Sequence, residues 1–127
     1  VGGFSLDPDD LARAEAALAG LAADYIQWAE ADMARLKDAL GCALAEGERE
    51  AAVAELFAIA HDVKGQAGTF GYGLLSTLGG RLCKLIQATP DDTAAMAALV
   101  NAMAEVVAAR LSGDGGERGQ ALLAALD

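Results

Sequence analysis

Three features of this chain predict an all-α fold. Alanine and leucine dominate a hydrophobic content of 54%, with only 2 prolines and few β-branched or aromatic residues, a composition suited to close-packed helices. Apolar residues recur at helical spacing in four long segments, and no alternating strand pattern competes. Proline and glycine punctuate those segments into elements joined by short connections, which predicts an antiparallel up-down four-helix bundle with a short additional N-terminal helix.

Asp7-Pro8-Asp9-Asp10 reads as a helix start, with Asp7 as N-cap, Pro8 at the first helical position and two carboxylates at the positive end of the helix dipole. A short helix is expected to about Ala19, with Gly20 ending or bending it. A long helix follows over about 21–45, presenting Ile26, Ala29, Met33, Leu36, Leu40 and Ala43 on one face, and Gly47 suits its C-terminal cap. The next helix is expected over about 48–69. Gly71 and Gly73 break it before a third long helix of about 74–88. Thr89-Pro90-Asp91-Asp92 stops that helix and caps the last, over about 93–111. The resulting division is an N-terminal extension at 1–6, a bundle at 7–111, and a glycine-rich flexible linker and C-terminal tail at 112–127.

At 127 residues the chain is one domain with room for a continuous core. The apolar runs are broken by charge before the roughly 18 residues a membrane span needs, and no basic-then-apolar segment opens the chain, so a cytoplasmic protein without membrane contact is expected. The first residue is Val1, which fits a trimmed chain or part of a longer protein. Net charge of −10 argues against nucleic acid as a partner, since phosphate backbones would be repelled. Cys42 and Cys83 have no paired spacing and no second histidine beside them, so they read as buried free thiols, and no metal site is expected.

The chemistry centres on His61, the only histidine, in the run Ala60-His61-Asp62-Val63-Lys64-Gly65 with Phe70-Gly71 beyond it. At about 100° per residue, Ala54, Gly65 and Gly68 fall within about 40° of His61 and Ala58 within about 60°. Val53, Leu56, Ala60, Val63, Ala67 and Phe70 gather on the opposite side. The imidazole therefore points to water, ringed by small side chains. A glycine inside a helix costs roughly 1 kcal/mol relative to alanine, so the bare patch at Gly65 implies that something bulky approaches. Lys64, one turn on, can bring an ammonium over the ring and favour an anion there. Phe57, at about 40° on the wheel, is a candidate apolar anchor for a partner. Phe70 is assigned to the core, and Gln66, at about 140°, has no assigned role. Arg81 and Lys84 on the next helix either reach the rim of the site or are simply solvated.

The pattern His61-x-x-Lys64-Gly65, closed by Phe70-Gly71 and followed by a leucine-rich helix (Leu74, Leu75, Leu78, Leu82, Leu85), resembles the active-site signature of histidine-containing phosphotransfer (HPt) domains, and the likeness extends over about 7–111. The resemblance implies a phosphocarrier that is not an enzyme in its own right. His61 would take a phosphoryl group on Nε2 from a receiver-domain aspartate or a hybrid histidine kinase and pass it to a response-regulator aspartate. Lys64 would steady the phosphoryl oxygens and Gly65 would leave room for them. Phe57, Ala58, Gly68 and Ala54 would form the docking surface. No cofactor is implied for this chain, with Mg²⁺ expected in the partner receiver domain. Free imidazole is largely neutral at pH 7, so one ring nitrogen keeps the lone pair that this chemistry needs.

Two rivals keep the fold: an adaptor that binds receivers without carrying phosphate, and a phosphoacceptor module cut from a larger kinase. A metal or haem bundle is disfavoured because the core faces carry alanine, leucine, valine and methionine in place of inward Glu and His ligands. A monomer is expected, on the premise that the apolar faces are spent within one bundle.

Overall fold

The computed structural model describes residues 7–45 and 47–127, apart from the side chain of Ala22, so the expected extension at 1–6 lies outside the described residues. These residues form five α-helices and no strand: α1 (Pro8–Leu44), α2 (Arg49–Thr69), α3 (Gly73–Ala88), α4 (Thr93–Ala108) and α5 (Gly116–Leu126). Helices α1 to α4 pack in chain order around one core, α2 against both α1 and α3, and α4 against both α3 and α1. The core is apolar throughout, with Leu36 of α1, Leu56 and Ile59 of α2, Leu75, Leu78 and Leu82 of α3, and Met96 and Met103 of α4 fully buried. Each such side chain contributes roughly 1.5–3 kcal/mol by leaving water.

The separate N-terminal helix does not exist. Residues 8–44 form one helix of 37 residues that runs straight through Gly20. A single glycine among alanines costs only about 1 kcal/mol, and a Cβ at Gly20 would meet nothing within 4 Å, so no packing surface is present to bend the chain there. Asp7 stands at the cap position with Pro8 behind it, but its side chain makes no capping bond. The expected cap before α4 is formed, with the Asp92 side chain accepting from the Ala95 amide at 3.1 Å.

The C-terminal ends of α2 and α4 are fixed by backbone geometry. Gly71, at φ 85°, closes α2 in a Schellman arrangement, in which the Tyr72 amide donates to the Ala67 carbonyl at 2.8 Å. Helix α4 stops three residues before the expected Leu111 because Arg110 takes the left-handed conformation (φ 53°) and Leu111 donates back to Val106 at 3.0 Å. The segment expected to be a flexible tail contains α5, whose Leu122, Leu123 and Leu126 pack against the core. Cys83 is buried as expected. Cys42 is exposed, because it falls outside the Leu36, Leu40, Ala43 stripe that α1 turns inward.

Helices α2 and α3 approach at Gly79. A Cβ there would stand 3.1 Å from the Ala60 carbonyl oxygen and 3.3 Å from the Lys64 amide nitrogen, so any larger residue would have to push the two backbones apart by a few tenths of an ångström. At Gly80 a Cβ would meet the Lys64 Cδ and Cε at 3.6 Å, an ordinary contact, so the stem of Lys64 lies across α3 at that point. At the end of the bundle near Gly71, the Tyr25 ring stacks on Phe70 at 4.9 Å and tilts against Tyr72 at 5.7 Å. Its hydroxyl is buried with no hydrogen-bond partner among the described residues. Burial, aided by Asp32 and Tyr72, pushes the Tyr25 pKa up to about 12.

Two stability predictions arise. Gly79→Val is expected to lower the unfolding free energy by about 1–3 kcal/mol through overpacking against backbone, while Gly80→Ala is neutral or slightly stabilising; thermal unfolding of the pair distinguishes them. Because an unfolded tyrosine ionises near 10 and folded Tyr25 only near 12, the folded state is favoured below pH 10 and loses that advantage as pH rises through 12, a loss of about 3 kcal/mol. Tyr25→Phe should remove this alkaline component and, by deleting an unpaired buried hydroxyl, raise stability at neutral pH by about 1 kcal/mol. Chemical denaturation across the alkaline range measures both.

Candidate functional site

Helix α2 turns Ala52, Leu56, Ile59, Ala60, Val63 and Ala67 into the core, which leaves the opposite face to solvent. His61 stands on that outer face and is exposed, with Ala54, Ala58, Lys64, Gly65 and Gly68 exposed along the same helix. A Cβ on Gly65 would meet nothing within 4 Å, so the helix beside the imidazole is open space. Phe57 is half-buried against the core, and its ring lies 6.2 Å from the imidazole at an interplanar angle of 25°. The ring thus anchors the imidazole on the side toward the N-terminus of α2.

Toward the C-terminus of α2, His61, Asp62, Gly65, Gln66, Thr69 and Phe70 line a shallow open depression. Gln66 and Thr69, neither given a role by the helical wheel, therefore share a surface with His61. The wheel assigned angle alone, whereas long side chains reach sideways across a turn. Phe70 is only half-buried: one face stacks on Tyr25, and the edge of Trp28 of α1 approaches at 6.2 Å. It is both core and wall. Gly68 is exposed but sits beside α3, where a Cβ would meet the Ser76 hydroxyl at 3.5 Å, so it is less open than Gly65.

Hydrogen bonds stiffen the backbone here. The Ser76 hydroxyl donates to the Lys64 carbonyl at 2.7 Å, and the Thr69 hydroxyl to the Gly65 carbonyl at 3.2 Å. The Ser76 bond ties α3 to α2 one turn beyond His61. No sequence pattern pointed to Ser76, since a lone serine on a helix has no signature.

Charge is divided across the site. On the α1 side, Arg35 bridges Asp32 at 3.4 Å and Glu55 at 3.3 Å, and Asp62 lies near enough to Asp32 to act on it. Burial holds the Asp32 carboxyl above the usual range, against the lowering effect of Arg35, and Asp62 adds to the rise. On the α3 side the charge is positive. Lys64 forms no ion pair among the described residues, so its ammonium is available. Arg81 is engaged elsewhere, paired with Asp127 after α5 at 3.2 Å, and with Lys84 it borders a groove between α3, α4 and Leu126. Burial raises the Cys83 thiol pKa, while Lys64 pulls it the other way, and the sulfur lies 4.0 Å from the Phe57 carbonyl.

Among the described residues, no three His, Cys, Asp or Glu side chains stand together to hold a metal ion, and no helix is long and apolar enough to cross a membrane. The arrangement offers an exposed imidazole nitrogen, the Lys64 ammonium one turn on with no ion pair among the described residues, and bare helix at Gly65 on the other side of the imidazole.

Searches of curated proteins and of solved structures returned no match. The family model of the Hpt domain matches residues 20–109, which include all of α2 and α3 and the helical faces that pack on them. That match, over more than two thirds of a helical chain with an exposed histidine on its second helix, places the protein in the Hpt domain family, whose members carry out histidine phosphotransfer in two-component phosphorelays.

Proposed function

We propose that His61 is the phosphoryl acceptor, loaded from the aspartyl phosphate of one receiver domain, free or attached to a hybrid histidine kinase, and discharged to the aspartate of a response regulator. The observation that carries this reading is the exposed imidazole of His61 beside the open helix face at Gly65, with the ammonium of Lys64, which forms no ion pair among the described residues, one turn on. Four antiparallel helices, implied by the short connections, form the scaffold.

In the forward step a neutral imidazole nitrogen, Nε2 by resemblance to the family, attacks the phosphorus in line. A P–N bond forms as the acyl-phosphate P–O bond breaks, the electron pair leaves on the receiver carboxylate, and the imidazole sheds its other N–H proton to solvent or keeps it as the phosphorylated cation. The return step reverses these changes. Phosphoryl transfer depends on placement and charge neutralisation more than on covalent help, so a sparse carrier suffices when the partner supplies the rest. Mg²⁺ belongs to the partner receiver.

Lys64 neutralises phosphoryl oxygens from the α3 side, and its stem, resting on Gly80, limits the arc its ammonium sweeps. The acidic α1 side, with Asp62, Asp32 and Glu55, repels the same oxygens, so the phosphoryl group leans toward Lys64. Phe57, Ala58, Ala54 and Gly68 form the docking rim, with Gln66, Thr69 and Phe70 as its other half. The protein acts in the cytoplasm as a carrier, with no nucleic acid or membrane partner.

Transfer from a panel of receiver domains phosphorylated at their aspartates tests the reading. Rapid loss of label to the wild type, as an acid-labile adduct, and none to His61→Gln is expected; no transfer from any receiver to the folded protein would leave this face as a docking surface only. Gly65→Leu separates function from folding. Its side chain has open space, so it should melt at or above the wild-type temperature, while phosphotransfer falls on the order of 100-fold because the group obstructs in-line approach.

A further inference from the structure

Trp28, the chain's only tryptophan, is 50% exposed. The expectation of a monomer rested on apolar faces being spent within the bundle, and Trp28 departs from that premise beside the histidine site. Its ring meets Phe70 in a T-shaped arrangement, with centroids 6.2 Å apart. Phe70 lines the depression that holds His61 and stacks on the fully buried Tyr25 at 4.9 Å. The exposed indole is therefore backed by a ring that is itself rooted in the core.

Helix geometry sets how far this indole lies from the imidazole. Asp62, the residue after His61, lies close enough to Asp32 to act on it, so α1 and α2 are level with each other at that point. Trp28 is one turn before Asp32, about 6 Å along α1. With packed helix axes about 8–10 Å apart, the Trp28 backbone stands about 12 Å from that of His61. A receiver that delivers a phosphoryl group to His61 has to cover a patch around it, and a standard contact of about 800 Å² per partner is a disc of about 16 Å radius. Trp28 falls inside that disc.

On the reading that His61 exchanges phosphoryl groups with receiver domains, we propose that Trp28 is the residue that selects among those receivers, seating against an apolar side chain on the receiver surface. Tryptophan suits such an anchor because it buries a large area in one contact. Held by Phe70, its indole has little rotamer freedom left to lose on binding. A receiver with a charged residue at that point would have to strip it of water against the rings, so it docks less well. Trp28 stands too far from His61 to touch the phosphoryl group, so it acts on affinity and leaves the chemical step alone.

Single-turnover transfer from phosphorylated receiver domains, followed against receiver concentration, separates affinity from chemistry. For the receivers that load the wild type best, Trp28→Ala should raise the half-saturating concentration about 10- to 30-fold, with the rate at saturation and the core melting transition unchanged. Trp28→Phe should recover part of that affinity, and in Trp28→Ala the spread of half-saturating concentrations across the panel should narrow. An unchanged half-saturating concentration in Trp28→Ala, or a loss confined to the rate at saturation, overturns the proposal. A second readout does not pass through phosphate. Fluorotryptophan incorporated at position 28 gives a single fluorine resonance, which unphosphorylated receivers should shift in the wild type and in His61→Gln alike. Receivers that shift it without ever loading His61 would sink the phosphoryl reading and keep Trp28 as the anchor, whereas receivers that load His61 without shifting it keep the relay and overturn the anchor.

Discussion

The contact of α2 with α3 through Gly79 is the constraint on which the site depends. Backbone meets backbone there, at Ala60 and Lys64, the residues that bracket His61. Close approach brings the Ser76 hydroxyl within reach of the Lys64 carbonyl and lays the Lys64 stem over Gly80. Among the described residues the imidazole itself has no recorded partner except the Phe57 ring. Its position is set from beneath, by a helix that cannot shift or roll without opening the core seam along Leu56, Ile59 and Val63. A rigid base under a free side chain suits a group that must meet several partners in turn.

Much of this was legible in the sequence because helical periodicity is a strong signal over long segments. The buried face of α2, the exposed place of His61 and the ring of small residues around it all came from the wheel. Boundaries at glycine were less legible. Gly71 and Gly20 look alike in the sequence, yet one ends a helix and the other lies inside one, because Gly71 has a turn to close and Gly20 has nothing to fold against. The α5 segment was hidden for a related reason: Gly113, Gly115 and Gly116 read as a flexible linker, but all three adopt positive φ in a defined turn.

Within the site, residue types that act through the backbone or by reach were the ones missed. Ser76 and Thr69 hold carbonyls, Gln66 leans across a turn, and Trp28 comes from a different helix to meet Phe70. None of these has a spacing that marks it beforehand. Arg81 shows the opposite case, a basic residue at a suggestive spacing whose charge is taken by Asp127.

The turn after α2 is joined to the turn after α4 by two hydrogen bonds, from the Gly113 amide to the Gly71 carbonyl and from the Leu74 amide to the Gly113 carbonyl, each 2.7 Å. The family match ends at residue 109, ahead of this splice. The limit of sequence kinship therefore falls short of backbone contacts that the fold makes to the end of α2 and the start of α3. An excised domain drawn to that limit would leave the Gly71 carbonyl and Leu74 amide to water at the mouth of the histidine helix, and one drawn past α5 would retain the clasp that holds them.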